Sequence, residues 1–174
     1  MLLPLSKQSE LGFGISYLKS SYLISDDLVA NGLVQFSLKE NMNILAFPVF
    51  FKYTFFTSRL RPYAKVGVIF SRLLSSEMSG IRNGGQTTKI NEDVMESRNS
   101  KLFHLSFGVG AQYIMKKGYL FIEATYIKGT TDMVDASNRF PNQNLLFSAG
   151  YVADNFKINS LAINFGYAFS LFKD

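Results

Sequence analysis

The chain has 174 residues, enough for one domain of ordinary size, with 15% aromatic and 18% charged residues, a net charge of +5, no Cys and no Trp. Without Cys there is no disulfide framework and no thiolate metal site, and no apolar run reaches the ~18 residues of a membrane helix. Charge this thin and aromatics this rich are unusual for a soluble domain, but they suit a transmembrane β-sheet, whose alternating strands keep mean hydropathy near zero.

The opening "MLLPLSK" has neither the charged start nor the apolar length of a signal peptide. From there, segment after segment alternates large apolar residues with small or polar ones, the period of an extended strand. Residues 9–23 place Leu11, Phe13, Ile15 and Tyr17 on one face. Residues 43–56 place Leu45, Phe47, Val49, Phe51, Tyr53 and Phe55 opposite Ala46, Pro48, Lys52 and Thr54. In 61–74, Ala64, Val66, Val68 and Phe70 oppose Lys65, Gly67 and Ser71. In 101–114, Phe103, Leu105, Phe107, Val109, Ala111 and Tyr113 oppose His104, Ser106, Gly108, Gly110 and Gln112. Residues 119–129 set Leu120, Ile122, Ala124 and Tyr126 against Glu123 and Thr125, and 158–171 set Leu161, Ile163, Phe165, Tyr167, Phe169 and Leu171 against Ala162, Asn164, Gly166, Ala168 and Ser170. Each segment is long enough for a tilted strand to cross a bilayer, about 9–11 residues.

The connections alternate between short (7–9, 57–60, 115–118) and long (24–42, 75–100, 129–157). Short turns at one end and long loops at the other are the mark of an outer-membrane barrel. Acidic residues, Asp26, Asp27, Glu40, Glu77, Glu92, Asp93, Glu96, Asp132, Asp135 and Asp154, fall in the long connections; Lys7, Arg59, Arg61, Lys116, Lys117 and Lys173 fall at the short-turn end. Tyr53, Phe55, Tyr63, Tyr113, Tyr119, Tyr167 and Phe169 cluster there too, as an interfacial aromatic belt does. The pattern therefore predicts an all-β, antiparallel up-and-down transmembrane barrel, bulky rows toward lipid and slim rows toward a narrow interior. Two weaker stretches, 31–38 and 144–151, are expected to lie in the outer loops as extensions of neighbouring strands. Six full strands and the stub "MLLPL" fall short of the eight with which bacterial single-chain barrels begin. The expectation is one barrel domain over 1–174, N-terminally truncated and lacking its signal peptide, its first strand and most of its second.

With these residues in view, the chain resembles the PorT-like outer-membrane β-barrel family of Bacteroidota. The likeness rests on "NILAFPVFFKYTFFTSRLRPYAKVGVIFSRLL", on "LFIEATYIKGTTDM" and on "MLLPLSKQSELGFGISYLKSSY". It implies an eight-stranded barrel, exported through a cleaved signal peptide, in the bacterial outer membrane. The C-terminal strand is similar to the signal read by the barrel assembly machinery, with Asn164, Gly166, Phe169 and Leu171 at its spacing, although Lys173 and Asp174 follow. The partners implied are outer-membrane lipid, that machinery during insertion, and an envelope protein; the role implied is structural, adhesive or in envelope assembly, with a link to type IX secretion.

Lys52 and Lys65 flank the 57–60 turn at matching distances, so a hairpin would set them side by side facing inward, with Glu123 at similar depth. A charge inside needs a partner. The expectation is a structural ion cluster in which Glu123 neutralises one or both lysines. His104, the single His, also faces inward, where it is expected to be hydrogen-bonded; with no Cys and no second His it builds no transition-metal site, and with Ser106 alone no triad. No cofactor and no enzymatic role are expected. "RNGGQTTK" (82–89) lacks phosphate-loop spacing and is expected to be a flexible surface loop. The basic turns are scattered over separate hairpins and do not suit nucleic acid. Two alternatives to the structural role are a narrow pore and a soluble lipocalin-like binding barrel.

Overall fold

A computed structural model describes residues 2–28, 34–84, 86–139 and 155–169. The chain is all-β. Its strands are β1 (Leu2–Pro4), β2 (Ser9–Phe13), β3 (Ser16–Leu28), β4 (Val34–Thr54), β5 (Leu60–Gly84), β6 (Gln86–Asp93), β7 (Lys101–Met115), β8 (Gly118–Gly129) and β9 (Asn159–Phe169). They form one antiparallel sheet in the order β1-β2-β4-β5-β7-β8-β9, with β3 also on β4 and β6 also on β5. Neighbours in the chain are thus neighbours in the sheet, the up-and-down order that the alternation predicts. The sheet is open, with β1 and β9 at its two ends.

β2 and β3 are one strand interrupted. Ser9 pairs with Tyr53 and Ser16 with Ala46 in a single unbroken register along β4. The break falls opposite Pro48: the Gly14 N–H donates to the Pro48 carbonyl at 3.1 Å, but a proline has no N–H to return. Between Asn43 and Ile44 the register of β4 against β5 shifts by one, leaving Leu74 as an extra residue on β5. Such a bulge reverses which parity of residue faces inward along the strand that carries it.

Two of the expected long loops are largely strand. Of 24–42, all but 29–33 belongs to β3 and β4, so the 31–38 stretch does extend a strand, from Val34 onward. Of 75–100, β5 runs to Gly84 and β6 returns from Gln86, so "RNGGQTTK" is the tip of a hairpin instead of a flexible loop. Beyond the bulge both strand faces carry polar residues in places, which erases the period-two signal while the backbone ladder continues. The 144–151 stretch lies outside the described residues.

Side-chain direction divides at the bulge. Below it, toward the short turns, the bulky rows lie outside: Phe47, Val49, Phe51, Val66, Phe70, Phe107, Val109, Leu120, Ile122 and Tyr126 are exposed, and Phe165 is 86% exposed. Their alternates Thr54, Lys52, Tyr63, Ser106, Gln112, Glu123 and Thr125 are buried. Above it the pattern is the ordinary one. Leu38, Met42, Leu73 and Met78 are buried, while Lys39, Asn41 and Glu77 are exposed. A small core of Met42, Ile44, Leu73, Leu102 and Met133, with Tyr22, Met95, Phe156 and Ile158 against it, fills this end.

Candidate functional site

The inner face below the bulge carries a charged cluster built by strand register. β4 and β5 pair Lys52 with Lys65, as the matching distances from the turn predict. Two residue pairs nearer the turn end, Tyr63, Gly110, Glu123 and Asn164 lie in a row across β5, β7, β8 and β9. Lys65 crosses β7 to reach the Glu123 Oε1 at 2.5 Å, and the Tyr63 hydroxyl donates to Oε2 at 3.1 Å. Thr125 donates to Oε1 at 2.8 Å and the Asn164 amide approaches it at 3.4 Å.

These reaches depend on two glycines of β7. A Cβ on Gly108 would stand 2.6 Å from the Lys65 Cε, and one on Gly110 would stand 2.7 Å from the Tyr63 hydroxyl. The "GVG" of β7 is therefore the saddle over which β5 side chains contact β8. Strands two apart in a sheet are separated by roughly 10 Å, a gap that Lys65 and Tyr63 span to Glu123 only because no side chain stands on Gly108 and Gly110 between them.

Lys52 has partners of its own. It pairs with the Glu10 carboxylate at 2.9 Å, donates to the Gln112 carbonyl at 2.6 Å, and sits 4.5 Å and 5.1 Å from the ring centres of Tyr63 and Tyr119. Of the two alternatives expected for Glu123, it pairs with one lysine, Lys65, and Lys52 has Glu10. Glu10 went unremarked in the sequence, although it alternates with Leu11 and pairs directly with Lys52. Tyr63 and Tyr119 are not belt residues. They share the parity of Lys65 and Glu123 and point inward, while Tyr53, Phe55, Tyr113 and Phe169 remain exposed. His104 lies on the inner row, but its Nδ1 is buried without a hydrogen-bond partner among the described residues, contrary to expectation.

Of the C-terminal set, Asn164 belongs to the ion cluster. Gly166 makes room for Phe121, whose ring would stand 3.0 Å from a Cβ there. Phe169 is exposed and packs edge-on against Tyr167 at 4.5 Å. Leu171 lies outside the described residues.

A second cluster, above the bulge, had no sequence signal. Glu40, expected in a solvated loop, is fully buried on the inner face of β4. Arg98 donates to it from Nε at 2.8 Å and from a terminal nitrogen at 2.6 Å, the two-pronged geometry that guanidinium and carboxylate favour. Ser76 and Tyr22 donate to the same carboxylate. Burial pushes the Glu40 pKa up, but the Arg98 hydrogen bonds and charge, with Ser76 and Tyr22, outweigh it and hold the carboxyl below its ordinary value. Arg98 belongs to a cap over this end. Its backbone bridges Val134, the Asn99 amide donates to the carbonyls of Asp132 and Val134 at 2.8 Å and 3.0 Å, and the Met133 N–H donates to Phe156 at 2.8 Å.

Among the described residues no group of His, Cys, Asp and Glu is arranged to hold a metal. The two clusters pair Lys65 with Glu123 and Arg98 with Glu40, each carboxylate also accepting from hydroxyl groups. Comparisons with family models, with curated proteins and with solved structures found no match to this chain.

Proposed function

We propose that this chain is the wall-forming domain of a small outer-membrane β-barrel, with a structural, adhesive or envelope-assembly role. The observation that carries the reading is the inside-out lower half. Two ion pairs, Lys52–Glu10 and Lys65–Glu123, occupy the inner face while Phe47, Phe51, Phe107 and Phe165 occupy the outer. In water that arrangement forfeits the burial of these outer side chains; in hydrocarbon it is the favourable one. The outer face turns polar at Asn43 and Ser75, where the bulge lies and the buried apolar core begins, and we take the lipid boundary to lie there. Closure of the sheet is part of the proposal, since an unpaired strand edge in hydrocarbon leaves N–H and C=O groups unsatisfied at several kcal/mol each.

The resemblance to the PorT-like family extends the reading: the bacterial outer membrane as compartment, the assembly machinery as route, and an envelope protein as partner, type IX secretion included. The paired interior favours a wall over a pore, and the charges lining it oppose a lipocalin-like apolar cavity. Flotation with phospholipid vesicles, followed by alkaline carbonate washing and conductance recording in planar bilayers, tests this. The chain is expected to float, resist washing and pass no steady current. A chain left in the aqueous fraction would refute the membrane reading, and a steady current would replace the wall by a pore.

A further inference from the structure

We propose that the short-turn rim holds the phosphate of an anionic phospholipid headgroup, an inference that rests on the membrane reading above. The turns at 55–59 and 116–117 lie side by side, tied by the Ile114 N–H donating to the Arg59 carbonyl at 2.8 Å. Between them is a cleft of ≈ 400 Å³ lined by Arg59, Tyr113, Ile114, Met115 and Lys116. Its composition is divided. Arg59 and Lys116 supply two cationic heads at the water side, and Tyr113 and Met115, exposed on the outer row of β7, supply an apolar floor toward the hydrocarbon.

No carboxylate forms an ion pair with Arg59 or Lys116 among the described residues, whereas Lys52 and Lys65 each have one. Two cations without counter-charge, at the edge of an apolar band, fit a ligand that is anionic at one end and greasy at the other. The phosphodiester would lie between the guanidinium, which offers a planar fork, and the ammonium. The acyl chains would run along Leu60, Tyr113 and Val109, which are exposed on adjoining strands. A free phosphate would meet the same cations but leave that apolar track uncovered, so the lipid is the occupant.

Native mass spectrometry of the full chain, from mixed micelles holding equal phosphatidylglycerol and phosphatidylcholine, tests the site. Wild type is expected to retain one phosphatidylglycerol with a preference on the order of tenfold, unaffected by millimolar inorganic phosphate. R59Q/K116Q is expected to lose the preference while keeping its strand spectrum, and K39Q/K101Q, altered on the other half, to keep it. Equal retention of both lipids by a chain that inserts into vesicles overturns the headgroup site and leaves the membrane reading intact; displacement by inorganic phosphate alone also overturns it. Failure to enter vesicles at all overturns both.

Discussion

Below the register shift at Asn43 and Ile44 the sheet is apolar outside and ionic within, and above it the sheet is polar outside with methionine and leucine within. The same strands, β4 and β5, run through both halves, so secondary structure does not distinguish them. Which face buries its apolar residues does, and the change occurs at the bulge; under the proposed membrane reading each half buries what its surroundings reject. Both halves nevertheless contain a buried ion pair, Lys65–Glu123 below and Arg98–Glu40 above. What differs is the neighbourhood. Glu123 shares a polar inner face with Lys52, Glu10 and Gln112, whereas the Glu40 pair is set beside apolar residues under a cap.

The largest expected effect follows from that contrast. Replacing Arg98 by Met leaves Glu40 buried and uncompensated, at about 3–5 kcal/mol, read as a lowered midpoint in denaturant titration in micelles. Restoring neutrality with E40L/R98M is expected to recover much of the loss, because apolar neighbours are already present. The corresponding K65M/E123L is expected to recover less, since Tyr63, Thr125 and Asn164, with Lys52, Glu10 and Gln112 on the same face, keep more polar groups around the vanished carboxylate than Ser76 and Tyr22 do around Glu40. Equal recovery in both halves would remove the distinction between them.

Next in size is the outer surface. Val109→Arg sets a charge in the apolar band and is expected to cost about 2–4 kcal/mol in a bilayer. Asn41→Arg, on the outer face above the bulge, is expected to stay within about 0.5 kcal/mol. Urea titrations of the two variants in vesicles check this, and similar costs would place both positions in one solvent.

The packing saddle gives a third test. Gly108→Leu should prevent Lys65 from crossing β7 and cost about 1–3 kcal/mol from overpacking, before any loss of the ion pair. A thermal midpoint unchanged from wild type would contradict the crossing.

The smallest effect is the response to pH. Glu40 is held below its ordinary value of 4.5, so its contribution is fully present above that value and is lost as pH falls from there through the lower folded-state value. Amide exchange in 94–98 and 130–135 is expected to rise in that acid range, and E40Q should flatten the change. Exchange that rises equally in E40Q would detach the cap from Glu40.

How much of this could be read from residues alone follows the same division. Below the bulge nearly everything was legible, because one face is bulky and apolar and the other small or polar, so the alternation is strict. The alternation of the strands and the inward Glu123 follow from period two, and the Lys52–Lys65 pairing from their matching distances to the 57–60 turn. Glu10, Tyr63 and Tyr119 were legible by the same parity and were misassigned or overlooked because nearness to a turn was weighed above parity. Above the bulge, Leu38, Glu40 and Met42 alternate with Lys39 and Asn41, yet a buried glutamate among lysine and asparagine looks like a loop. Arg98 comes from a stretch with no periodicity, and its partner is 58 residues away; only the fold joins them. The extra residue at Leu74 hid the boundary further, since it shifts the parity of β5 midway.

The measurement that bears most directly on the two-solvent account is a nitroxide scan along β4 from 37 to 55 in vesicles, made clean by the absence of Cys. The account predicts oxygen accessibility peaking at Leu45, Phe47, Val49, Phe51 and Tyr53 with period two. At Lys39 and Asn41 oxygen should give way to a water-soluble nickel reagent. Oxygen maxima at Ala46, Pro48 and Lys52, or nickel access at Phe47 and Phe51 equal to that at Asn41, would contradict it.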